Sequence, residues 1–145
     1  MSTTLSATVS KWVSEQQELL EAVTLESVQR VAEEANKTRS EGGNMPVDTG
    51  FLRASRYGPS LEKPPLRETP KPPERRKPGD PPIYEASPFQ LLINWRPGQP
   101  IYLGWLAKYA AAVNDRGALF ADLAAQKWPQ IVAQVQAELA TRLGR

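Results

Sequence analysis

Cysteine and histidine are both absent from this chain of 145 residues. Without Cys there is no disulfide, no thiol nucleophile and no thiolate metal site. Without His the chain lacks both the side chain that titrates nearest neutrality and the commonest metal ligand. Catalysis would therefore fall to carboxylates, Lys, Tyr or Ser. There is no run of about 18 apolar residues, so no membrane-spanning helix is expected. The opening MSTTLSATVSKWVSEQ has no basic start followed by an apolar stretch, so no signal peptide is expected and use in a cytoplasm is. There is also no GxGxxG and no P-loop. Asp115 and Asp122 stand too far apart to argue as an acid/base pair, and Glu33-Glu34 reads as a solvated helix face. The carboxylates show no cluster of the kind a metal site needs. The expectation is a protein without catalysis, cofactor or metal.

Proline is abundant instead, at 14 residues, about twice its usual share. Ten of them fall between Tyr57 and Pro88. Residues 58–88 contain TPKPPERRKPGDPP, which has almost nothing apolar to bury. They read as an extended, polyproline-like arm or loop inserted in a single domain of residues 1–145. Lys71, Arg75, Arg76 and Lys77 make a small basic cluster in it. The arm reads as a solvated linker or as a contact laid across a neighbouring protein, with direct phosphate binding and a PxxP ligand for a groove-binding domain as minority readings. Net charge is +2 overall, but residues 1–45 carry 4 basic and 7 acidic groups, residues 46–100 carry 9 and 6, and residues 101–145 carry 5 and 3. This gradient is too mild to imply nucleic acid. It suffices for one end of a protomer to attract the other end of a neighbour.

The rest of the chain reads as α+β. From about Ser6 to Arg39, apolar residues at Val9, Trp12, Val13, Leu20, Val23, Val28, Val31 and Ala35 form one helical stripe, ended by Gly42-Gly43. A helix of this length reaches roughly 50 Å at about 1.5 Å per residue. It suits an amphipathic core helix or one that projects onto a neighbouring subunit. Asp48 or Thr49 is placed to cap a short helix through Phe51–Ala54. FQLLINW (Phe89 to Trp95) and Ile101, Leu103 and Trp105 each alternate apolar residues. Pro97-Gly98 between them is in the order of a type II turn, so the pair reads as a small antiparallel hairpin. YAAAVNDR is helical and broken by Gly117. A last helix runs from about Leu119 to Leu143, with Pro129 kinking it or starting its second half. Trp12, Trp95, Trp105 and Trp128 read as core or interface anchors, with stacking on nucleic-acid bases as the minority reading.

One segment is more specific than these patterns. PVDTGFLRAS, followed by a β segment and YAAAVNDRGALF, resembles the tail-completion or head–tail joining (neck) proteins of tailed phages. These are the family of the lambda-type minor tail protein Z and of the gene-ten proteins of HK-type phages. The matching residues are Pro46, Val47, Asp48, Thr49, Gly50, Leu52, Arg53 and Ser55, then Tyr109, Ala110 and Val113, then Gly117 and Phe120. Order and spacing cover most of the chain. Asn114-Asp115-Arg116-Gly117 departs from the family's usual run after the YA segment, and the proline-rich stretch is an insertion.

The resemblance implies a structural virion protein at the head–tail junction, assembled in the host cytoplasm. It implies a homo-oligomeric ring, most simply a hexamer, touching other neck and tail proteins: connector, head-closure, tail terminator or tail tube. Neither membrane nor specific nucleic acid is implied as a partner, although genomic DNA passes nearby. The alternatives are another connector component, such as a tail terminator or head-closure subunit. From a different class comes a small nucleic-acid-binding protein using Arg75, Arg76, Lys77 and the tryptophans. A carboxylate-based hydrolase is the weakest.

Overall fold

A computed structural model describes residues 2–48, 50–65, 68–70, 80–85, 92 and 94–144. The expected α+β architecture is present: a long N-terminal helix, a two-stranded antiparallel sheet and a C-terminal helix packed on the first. Helix α1 is Ser2–Asn36. A 3-10 turn (Arg39–Glu41) follows, and then the four-residue helix α2 (Phe51–Ala54). Strand β1 is Arg56–Ser60 and β2 is Tyr102–Trp105. Helix α3 (Ala110–Val113) runs into a π-turn (Asn114–Ala118), then α4 (Phe120–Gln126) and α5 (Trp128–Arg142). Pro129 lies in the first turn of α5, where its missing N–H costs nothing. It starts the second half of the C-terminal segment rather than kinking a continuous helix.

Two apolar clusters hold the chain. The first gathers Met45, Phe51, Leu52, Ala107, Ala110 and Phe120. It draws on five separate stretches, so it is the centre that fixes the tertiary arrangement. The second is a helix–helix seam in which Val23 of α1 meets Ile131 and Val135 of α5, flanked by Leu19, Val31, Val132 and Leu139. Further along α1, Ala32 and Ala35 are buried, as is Ala124 of α4, and α1 packs on α4. Small side chains let the two backbones come close. Lys127, at the junction of α4 and α5, is ion-paired with Glu34. Near the far end of α5, Glu138 is ion-paired with Arg30, which also reaches Glu26 at 3.0 Å. With Val23 against Val135, these contacts make α5 antiparallel to α1.

The sheet corrects one expectation. β2 lies where the alternating Ile101–Trp105 pattern puts it, but its partner is β1, with Arg56 opposite Trp105, Tyr57 opposite Gly104 and Ser60 opposite Tyr102. The expected partner, Phe89 to Trp95, is described only at Leu92, Asn94 and Trp95, none of them in a strand. The remainder lies outside the described residues. The Pro97-Gly98 turn is present, with Gln99 N–H donating to Arg96 O at 3.1 Å and Gly98 at φ 95°. Among the described residues it closes no hairpin. The buried indole of Trp95 donates to Gln99 O at 3.0 Å across it.

The proline-rich tract therefore begins as sheet, since residues 58–60 belong to β1. Two later points return to the body. The Thr69 N–H donates to Leu106 O at 2.6 Å, and Lys108 N–H donates to Thr69 O at 2.8 Å. The Tyr84 ring packs edge-on against Phe51, with centroids 5.4 Å apart. Lys71, Arg75, Arg76 and Lys77 lie outside the described residues.

Candidate functional site

The segment MPVDTGFLRAS forms a corner between α1 and the sheet. After α1, the chain reverses through the 3-10 turn. Thr38 N–H donates to Glu41 Oε1 at 3.2 Å and Thr38 Oγ1 to the same oxygen at 2.8 Å. These bonds hold the Glu41 carboxyl below its ordinary range. Met45 N–H then donates to Lys37 O at 2.9 Å, and the Met45 side chain is fully buried. That pins the start of the motif to the end of α1.

Gly50 decides the next step. It occupies the N-cap of α2 with φ 86°, in the left-handed region, and no side chain caps the helix there. The N-cap position expected at Asp48 or Thr49 is held by Gly50, and Thr49 lies outside the described residues. The reason is steric. A Cβ on Gly50 would stand 2.3 Å from Tyr84 O, so only glycine allows both the backbone angle and the close approach. Phe51 and Leu52 then point into the first cluster. Ser55 Oγ donates to Leu52 O at 2.7 Å, closing α2, and Leu106 N–H donates to Ser55 O at 2.9 Å, tying the corner to the sheet. Arg53 reaches Glu41 at 3.7 Å, and its Nε is buried with no hydrogen-bond partner among the described residues. Burial pushes the Arg56 guanidinium pKa down, and nearby Arg53 adds to the shift.

The second motif comes to the same place. Tyr109 and Val113 pack against the first cluster, and Ala110 and Phe120 are part of it. The Phe51 and Tyr109 rings stand 6.3 Å apart. Gly117 has φ 119°, which turns the chain from the π-turn toward α4. A cleft of about 320 Å³ opens where the motifs meet, lined by Pro46, Asp48, Gly50, Phe51, Leu52, Tyr109 and Val113. All but Phe51 were singled out in the sequence. A neighbouring cleft of about 350 Å³ extends over Thr38, Arg39, Ser40, Met45, Pro46, Val47 and Asp48. Of the sequence motif residues, Pro46, Asp48, Gly50, Leu52, Tyr109 and Val113 line this cleft and Val47 lines its neighbour; Ala110 and Phe120 lie in the apolar cluster, Arg53, Ser55 and Gly117 line neither cleft, and Thr49 is not described.

Three supporting residues escaped the sequence reading. Asn36 Oδ1 accepts from Trp105 Nε1 at 3.1 Å, joining the end of α1 to β2. Asn114, buried, accepts from Ala121 N–H at 3.1 Å and so holds the first turn of α4. Tyr84 closes one wall on Phe51 and Gly50. Trp105 offered a weak signal for the first, because a buried indole N–H needs an acceptor.

Among the described residues no group of three His, Cys, Asp or Glu is placed to hold a metal ion. The described carboxylates with shifted pKa values are Glu34, Glu41 and Glu138, and each is explained by hydrogen bonds to a named neighbour. None lines the motif cleft. The corner forms an open, largely apolar concavity.

No protein-family model, no curated protein and no solved structure matches this chain.

Proposed function

We propose that this chain is a structural virion protein of a tailed phage, placed in the neck. There it completes the tail and joins it to the DNA-filled head through protein–protein contacts in a ring. The observation that carries the reading is the cleft. Pro46, Asp48, Gly50 and Leu52 come from one segment on which the resemblance to tail-completion proteins rests and Tyr109 and Val113 from the other; the segments are distant in sequence, and these residues line one concavity. Motif residues that served the core alone would have no reason to share a surface opening. The exposed half of α1 is further support, since it offers a long apolar edge to other chains. On this reading Gly50 sets the angle between α1 and the sheet, and the cleft receives part of a neighbouring neck subunit. The work is done by shape and burial, with no cofactor and no catalytic step. The protein assembles in the host cytoplasm and ends in the virion.

The test is electron microscopy of lysates from the phage with this gene disabled. Filled heads and finished tails lying separate are the expected result. Intact, infectious particles would remove the protein from the neck.

A further inference from the structure

We propose that Gly50 and Phe51 form a peptide-binding socket, filled in the structure by residues 82–84 of the same chain, and that it takes the same segment from a second copy. The socket draws its shape from other parts of the chain. The Met45 N–H bond to Lys37 O pins the entering backbone to the end of α1. Leu52 lies in the first apolar cluster, and the Leu106 N–H bond to Ser55 O fixes the exit from α2. Two features result. At Gly50 the backbone is open to close approach, because no side chain stands there. Beside it stands the Phe51 ring.

The segment in the socket is of a different kind. Residues 80–85 lie in neither helix nor strand, and Tyr84 alone among them is drawn out of solvent. Pro81 and Pro82 fix two backbone angles, and each holds the residue before it extended. That restriction lowers the entropy lost when the segment is laid down. Tyr84 meets the socket twice. Its ring packs edge-on against Phe51, and its carbonyl oxygen lies 2.3 Å from where a Cβ on Gly50 would stand. Pro82 approaches the same point to 3.5 Å. An extended backbone laid on a preformed surface, with one aromatic anchor, is the pattern of peptide recognition.

The structure itself names the occupant, because this sequence is seated there. Chain length allows it to come from a neighbour. Trp95 is buried, and the residues between it and Tyr84 reach up to about 36 Å at about 3.3 Å each. A segment tethered in its own chain competes at an effective concentration on the order of millimolar. Neighbours in a closed ring present theirs at a similar level, so exchanging one identical segment for another costs little. The exchange deepens the ring contact proposed above and rests on that reading for the presence of adjacent copies. Binding of the segment is a property of the free chain.

The probe is a fluorescent synthetic peptide of residues 80–85, DPPIYE, added to the full chain. Tyr84→Ala removes the anchor of the resident segment. This variant is expected to bind the peptide saturably and at least tenfold more tightly than the wild type, where the resident segment competes. Should it fail to fold, Tyr84→Leu serves the same purpose more gently. Replacing the peptide's tyrosine with alanine is expected to abolish binding. Replacing its isoleucine, which is 55% exposed in the chain, is expected to leave binding unchanged. Gly50→Ala chains, with the socket blocked, are then mixed with Tyr84→Ala chains, with the socket vacated. They are expected to pair at twice the 16.1 kDa chain mass, at concentrations where neither associates alone. Absence of saturable peptide binding overturns the socket. Peptide binding without pairing of the mixed chains overturns the exchange between copies. Neither result bears on head–tail joining, which the disabled-gene lysate tests separately.

Discussion

The two halves of α1 form one helix with one stripe, yet they have different surroundings. From Val23 to Asn36 the stripe is covered by α4 and α5, and its residues are small or β-branched: Val23, Ser27, Ala32 and Ala35. Nearer the N-terminus Leu5, Val9, Trp12 and Val13 are exposed, and these residues are larger, with Leu and Trp prominent. An isolated helix this short is marginal in water. Here the covered half supplies the nucleus, so the uncovered half needs only to propagate. The comparison teaches that periodicity fixes which face of a helix is apolar and says nothing about what covers it. Side-chain size carries some of that missing information. Close packing against α4 needs alanine, whereas the exposed stretch carries bulky Leu5 and Trp12.

The comparison can be broken at several points. The largest effect is expected in the motif corner, which anchors the covered half to the sheet. Phe120→Ala removes a buried ring that stands 4.8 Å, edge-on, from Trp105. It is expected to cost about 3–5 kcal/mol in chemical denaturation. Next, Ile131→Ala empties the seam on the covered half and is expected to cost about 2–4 kcal/mol. Its matched control, Val9→Ala on the uncovered half, is expected to shift the stability of diluted protein by no more than about 0.5 kcal/mol. Equal losses from Ile131→Ala and Val9→Ala would erase the distinction between the halves. Gly50→Val is expected to lower stability by about 1–3 kcal/mol, since both the backbone angle and the Tyr84 carbonyl oppose a side chain. An unchanged melting temperature would show that the corner has no fixed angle.

The smallest expected effect is electrostatic. Hydrogen bonding from Lys127 holds the Glu34 carboxyl below its ordinary value of 4.5, against the opposing effect of burial, with Lys37 adding to the shift. A carboxyl depressed in the folded state stabilises the protein above its unfolded pKa, and that contribution disappears as pH falls through the lower folded value. Stability should therefore decline below about pH 4.5. Lys127→Met should reduce that decline, by up to about 1 kcal/mol. A pH profile identical in the two proteins would mean that the pair contributes nothing.

Much of this fold was legible in the residues. The absence of Gly and Pro before Gly42 pointed to α1, alternation from Ile101 pointed to β2, and Pro129 marked a break that was either a kink or a helix start, of which the structure has the start. The partner of β2 was not legible. Arg56–Ser60 has no apolar alternation and contains Gly58 and Pro59, so it reads as the start of the proline tract. Its place in the sheet comes from pairing across more than forty residues of chain, which local patterns do not encode. FQLLINW alternates well and attracted the assignment instead. Asp48 has the chemistry of an N-cap, but the Tyr84 carbonyl, far along the chain, makes Gly50 the residue at the N-cap position of α2. The motif residues themselves were found by resemblance, and their convergence on one cleft depends on contacts such as Phe51 with Tyr109.

The most direct measurement is amide hydrogen exchange along α1 in the free protein. The expected result is strong protection of residues 23–36 and weaker protection of residues 5–16 in dilute protein. Equal protection of both stretches would contradict the division of α1 into a covered and an uncovered half.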